Sequence, residues 1–145
     1  SNSKEPFLSN NFFEISIYTK DNLDKFNDSI NLSQWEAANK ILGNLYLKSK
    51  DTEKYRPLEI NYDELRVSFD KGCYRGQEIV ARMKYLGVDR RKFCTFITEK
   101  SFKLNEDIKI AGEVIELDNN RIFNGIIKRD CLSDMQNLDG IIDIY

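Results

Sequence analysis

The hydrophobic period changes once along this 145-residue chain, near Gly87, and that change constrains the fold more than any other feature. Upstream, apolar residues recur at helical spacing: Leu23, Phe26 and Ile30, then Trp35, Ala38, Ile41, Leu42 and Leu45, then Ile79, Val80, Met83 and Leu86. Downstream they alternate at period two in "RKFCTFITE", "EDIKIAGEVIELD", "NRIFNGIIKRD" and "GIIDIY", runs separated by Gly, Asn and Asp. Mixed helix and strand before the change and short strands after it predict an α+β chain, divided into 1–87 and 88–145. The second part reads as a small antiparallel sheet or barrel.

Local signals fill in the first part. "FFEISIY", Phe12 to Tyr18, puts Phe13, Ile15 and Ile17 on one side at period two and predicts a strand feeding a helix over 21–30. Ser33 followed three residues later by Glu36 predicts a capping box at the start of the next helix, with Trp35 on its core face and Gly43 as its stop. Lys48 to Pro57 reads as a loop, and Leu65, Val67 and Phe69 alternate as in a short strand over Asp63 to Phe69. Gln77 to Leu86 reads as a helix ended by Gly87.

Composition bounds the chemistry. Hydrophobic content of 41% with 32% charged residues describes a chain able to fold in water. Histidine is absent, so no hydrolase with an imidazole base and no His-ligated zinc site is built from this chain. The cysteines stand at 73, 94 and 131 with no Cys-x-x-Cys and no metal-ligand spacing; Cys94, between Phe93 and Phe96, reads as core, and Cys131 carries no assigned role. No run of about 18 apolar residues is present, so no membrane span is expected. The absence of a signal-peptide pattern predicts a cytoplasmic protein. A net charge of -2 gives no strong nucleic-acid signal overall. Yet Asp70 to Lys92 holds seven cations against three carboxylates, a local +4.

That basic segment is built around a cysteine between two glycines. Gly72 and Gly76 permit positive φ and close approach to the main chain. Cys73 would stand just ahead of a helix N-terminus, where unpaired N–H groups, Lys71 and Arg75 attract negative charge. The same spacing fits a cysteine packed as a small apolar residue under the turn, and it leaves both readings open. Glu78 and Arg82, four apart, read as a helix-surface ion pair, with an anionic ligand as the competitor for Arg82. The glycines match neither the Walker loop nor the dinucleotide fingerprint. Arg90, Arg91 and Lys92 read as a solvated turn, with RNA or an anionic cofactor tail as the other reading.

The string "KGCYRGQE", Lys71 to Glu78, resembles the signature Lys-Gly-Cys-Tyr-x-Gly-Gln-Glu of the YgfZ family, folate-binding proteins similar to the glycine-cleavage T-protein (aminomethyltransferase). Every specified position matches, with Arg75 in the variable one, and the flanks "VSF" and "VAR", Gly87 with its following basic pair, and Pro57, Asn61 and Leu65 agree. Members are longer, and the chain resembles their C-terminal part. The resemblance implies the second half of a ferredoxin-like α/β region over 1–87, carrying the motif and its helix, then a small β-barrel over 88–145. It implies tetrahydrofolate as cofactor, Cys73 as the working residue, and Lys71, Tyr74, Gln77, Glu78 and Arg82 as cofactor-binding neighbours. It further implies an accessory role towards iron–sulfur client proteins, tRNA-modifying enzymes among them. Two other functions stay open: a folate-dependent aminomethyltransferase of the T-protein type, and an RNA-binding module.

Overall fold

In the computed structural model the described residues are 8–9, 14–15, 31–87 and 90–145. Strands β1 (Leu8–Ser9) and β2 (Glu14–Ile15) pair antiparallel, Leu8 opposite Ile15. The rest of the predicted strand to Tyr18 and the predicted helix over 21–30 lie outside the described residues.

The N-cap of helix α1 (Leu32–Ile41) lies two residues earlier than expected. The N-cap is Asn31, whose Oδ1 accepts from the Gln34 N–H at 2.9 Å while Gln34 Oε1 accepts from the Asn31 N–H at 2.8 Å. Ser33 and Glu36 therefore fall inside the helix. Two orphan donors are satisfied by a reciprocal pair that Asn31 and Gln34 make equally well. Gly43, at φ 74°, terminates α1 as expected: its N–H donates to Lys40 C=O and the Asn44 N–H donates to Asn39 C=O, a Schellman closure. Trp35 is 51% exposed rather than core, whereas Ala37, Ala38, Ile41 and Leu45 are buried. The buried stretch of α1 starts at Ala37, two positions after Trp35, and leaves the indole outside it.

After 3₁₀ turns at Ser49–Asp51 and Pro57–Ile60 comes the short helix α2 (Tyr62–Leu65). The strand expected over Asp63 to Phe69 does not form. Asn61 turns the chain at φ 55°, and the Arg66 and Val67 N–H groups both donate to Tyr62 C=O, so neither is left for a ladder. The Tyr62 hydroxyl donates to Leu45 C=O, which anchors this coil under the end of α1. Helix α3 spans Gln77–Leu86 as predicted, and Gly87 caps it, at φ -74°. A side chain at Gly87 would collide with the Met83 carbonyl, so close approach, not a left-handed turn, selects glycine here.

Strands β3 (Arg91–Glu99), β4 (Lys109–Leu117), β5 (Asn120–Lys128) and β6 (Ile141–Ile144) form one antiparallel sheet in the order β4-β5-β3-β6. The runs read from the sequence fall on these strands. Helix α4 (Arg129–Met135), between β5 and β6, carries Cys131 and had no counterpart in the sequence reading. Phe93 to Thr98 are all buried, because both faces of β3 are covered. On one face Cys94, Phe96, Phe123 and Ile127 pack with Ile108 and Met135, and the Phe96 and Phe123 rings stack with centroids 5.4 Å apart. On the other, Ile97 and Ile122 pack under Ala37 and Ile41 of α1, while Phe93 and Ile126 pack with Leu45 and Ile60. Cys94 is core as expected, and burial pushes its thiol pKa up against the opposing fields of Lys92 and Arg129.

Candidate functional site

Between α2 and α3 the chain runs without regular structure from Arg66 to Gly76, so the motif is carried on a turn. Gly76 is the N-cap of α3 at φ 87°, a conformation L side chains rarely adopt, and its carbonyl accepts from Ile79 and Val80. Gly72 has no positive φ. Tyr74 closes the turn by accepting the Gln77 N–H on its carbonyl at 3.2 Å. Three residues thus separate Cys73 from the first helical residue, and its thiol is exposed, not packed beneath the turn.

Lys71, Arg75, Glu78 and Arg82 are exposed around Cys73, and Tyr74 and Gln77 are half-buried. The Tyr74 hydroxyl oxygen is shielded from solvent and has no hydrogen-bond partner among the described residues. Glu78 and Arg82 form no ion pair among the described residues; both charges face solvent. The apolar stripe of α3 is mostly uncovered: Val80 is buried, but Ile79 is 63% and Leu86 79% exposed. Among the described residues the helix packs on the Pro57–Ile60 turn and the preceding loop, where Phe69 meets Tyr85 edge-on at 6.0 Å, and Lys84 pairs with Asp63 of α2. Among the described residues, the expected core face of α3 is therefore left largely uncovered.

Two cavities open among the described residues, and neither is lined by a motif residue. The first, about 320 Å³, lies between α1, the following loop and the bulge of β4 at Gly112, with Trp35 and Tyr46 at its walls. Its floor holds Lys40, only 8% exposed. The Lys40 Nζ donates to Asn124 Oδ1 at 3.4 Å; Asn124 Nδ2 donates to Lys40 C=O at 3.1 Å and to Thr95 Oγ1 at 2.9 Å. Desolvation lowers the Lys40 pKa, with Glu113 and Glu36 opposing it. At the rim, Glu113 takes both Lys48 at 2.7 Å and Lys50 at 3.2 Å, pairings that lower its own pKa. Lys40 sits three residues after Ala37 on the buried side of α1, and that placement was its only sequence signal.

The second cavity, about 730 Å³, is bounded by the Pro57–Asn61 turn, the end of α3, the start of β3 and the start of α4. Six cations line it: Arg56, Lys84, Arg90, Arg91, Lys92 and Arg129. Among the described residues its two carboxylates are already engaged, Glu59 with Arg91 at 3.1 Å and Asp63 with Lys84 at 2.8 Å. The sequence showed Lys84 and the run Arg90 to Lys92 within one basic segment, but nothing local tied Arg56 and Arg129 to it.

Among the described residues no group of three or more Cys, Asp or Glu could hold a metal ion. No helix there is long and apolar enough to cross a membrane.

An α+β chain that presents an exposed cysteine on a cationic glycine turn opening a helix is the class this geometry defines. No family model matches the chain. It is similar to the tRNA-modifying protein YgfZ of Blochmanniella pennsylvanica, 32% identical over 118 residues, covering 79% of this chain and 35% of that protein. The tRNA-modifying protein YgfZ of Klebsiella pneumoniae is 34% identical over 116 residues, 77% of this chain and 34% of its own length. That of Pectobacterium atrosepticum is 36% identical over 99 residues, 66% and 28% respectively. The chain belongs to the YgfZ family, and it spans about a third of the length of these curated relatives.

Proposed function

We propose that this chain is the motif-bearing part of a cytoplasmic, tetrahydrofolate-binding accessory factor that serves iron–sulfur enzymes, tRNA-modifying ones among them. The observation that carries the reading is the intact Lys71–Glu78 turn with an exposed Cys73 ahead of α3. On this reading 1–87 continues a ferredoxin-like region and the sheet of 88–145 belongs to a small barrel. The names of the relatives, tRNA-modifying proteins, support the tRNA side of the proposal.

The residues present suit such a cofactor. Lys71 and Arg82 offer exposed cations to its glutamyl carboxylates, and Glu78 and the half-buried Gln77 offer acceptors to ring N–H groups. The unpartnered Tyr74 hydroxyl is a polar atom that a ligand at the turn would satisfy. When bound, tetrahydrofolate supplies a carrier for a one-carbon unit. Cys73 would supply, on the same turn as those residues, an exposed thiol able to take up that unit or a client's sulfur or iron.

Titrating the protein with tetrahydrofolate under anaerobic conditions tests the reading. The Arg82→Ala variant is expected to bind about tenfold more weakly, the loss of one charge-assisted contact. Cys73→Ala is expected to bind normally and to fail in restoring client activity. A wild-type protein that shows no saturable binding overturns the proposal.

A further inference from the structure

We propose that the 730 Å³ basic cavity beside α3 is a docking surface for the phosphate backbone of RNA. Its cations come from four separate segments: Arg56 before the Pro57 turn, Lys84 near the end of α3, Arg90 to Lys92 at the start of β3, and Arg129 at the start of α4. All six are exposed, in a chain whose net charge is -2. The two acids on the cavity wall are engaged by Arg91 and Lys84, and Arg56, Arg90 and Lys92 make no ion pair among the described residues. The other cavity is the internal contrast, since Glu113 there holds both rim lysines.

The chemistry of the wall selects the ligand class. Four of the six cations are guanidinium groups, whose planar forks match phosphate oxygens. A small-molecule site is lined mainly by apolar and aromatic groups. Among the described residues this wall has Leu58 and Met83 as its large apolar residues and no aromatic ring. Without a ring to stack a base, the surface reads charge and backbone, so the binding it supports is sequence-independent. Carboxylate chains share part of this chemistry. The choice of RNA over an acidic peptide rests on the proposed tRNA-related role.

Fluorescence anisotropy of labelled tRNA, poly(U) and poly(A), from about 50 to about 200 mM salt, tests the assignment. Wild type is compared with the combined Arg56→Ala, Arg90→Ala and Lys92→Ala variant. A Lys48→Ala, Lys50→Ala variant removes two exposed cations from the other cavity as control. The groove variant is expected to bind tRNA at least about tenfold more weakly, with the slope of log affinity against log salt shallower by about 2–3. The control is expected to match wild type, and poly(U) and poly(A) to bind within about threefold of each other. An unchanged slope in the groove variant overturns the proposal. So does a polyglutamate chain that competes as well as RNA at equal charge, or a preference between homopolymers above about tenfold. Tetrahydrofolate titration of the same variants separates the two readings. Loss of RNA binding with folate binding intact supports the groove, and a wild type that binds RNA but no folate overturns only the folate reading.

Discussion

In the sheet, Phe93 to Thr98 are buried without interruption, and Thr95 and Asn124 in that interior are hydrogen-bonded to each other and to Lys40. From Lys71 to Leu86, a stretch nearly three times as long, Val80 alone is buried. One region uses its side chains to hold the fold together. The other presents a cysteine, several charges and an apolar helix stripe to the outside. Chains keep functional groups accessible on segments that contribute little burial, at the low-stability end of the structure. The contrast makes a quantitative claim: substitutions in the α1–sheet region should act on stability, and those on the motif helix should not.

Asn124→Leu should show the largest effect. It deprives Lys40 C=O, Thr95 Oγ1 and Lys40 Nζ of their shared partner in a closed interior, and is expected to cost about 2–4 kcal/mol in urea unfolding. A loss under about 1 kcal/mol would mean that water reaches this network and that the sheet region is less closed than described.

Lys40→Met comes next, and its signature is pH dependence. Burial disfavours the charged amine, so the folded-state pKa lies below the unfolded value of 10.5 and the unfolded chain binds more protons between the two. Wild-type stability therefore rises as pH climbs through the folded pKa towards 10.5, and the cation is a burden at neutral pH. The methionine variant is expected to be about 1 kcal/mol more stable at pH 7, with the difference shrinking at alkaline pH. A difference that grows with pH would reverse the assignment.

Ile79→Ser should show the smallest effect. With 63% of the residue exposed on α3, the expected change in unfolding free energy is under about 0.5 kcal/mol. A loss above about 1.5 kcal/mol would show that this face is covered in solution and would narrow the difference between the two regions.

Much of the architecture was legible because the signals are local. Helix α3 and its stop at Gly87, and the four long strands, follow from residues a few positions apart, since periodicity and backbone punctuation act within a turn or a pleat. Alternating Leu65, Val67 and Phe69 misled because a strand needs a partner as well as a pattern, and the Tyr62 carbonyl captured the donors first. The Ser33–Glu36 box misled because Asn31 and Gln34 offered the same chemistry two residues earlier. The candidate site divided the same way. The Lys71–Glu78 string was complete in the sequence, whereas the exposure of Cys73 and the orphaned Tyr74 hydroxyl required coordinates.

The amino-acid order alone determined where helix gives way to strand, which glycines turn or stop the chain, and that a cysteine sits among cations at the start of α3. Tertiary structure decided what covers each of these features. It set Lys40 against Asn124, 84 positions away, and left Ile79 and Leu86 exposed among the described residues. It also drew Arg56 and Arg129 to Arg90 and Arg91 at the start of β3 to make one basic surface from four segments. Spacing along a chain states which side chains share a face. Which other face it meets depends on contacts between residues far apart in the chain, and only folding establishes those.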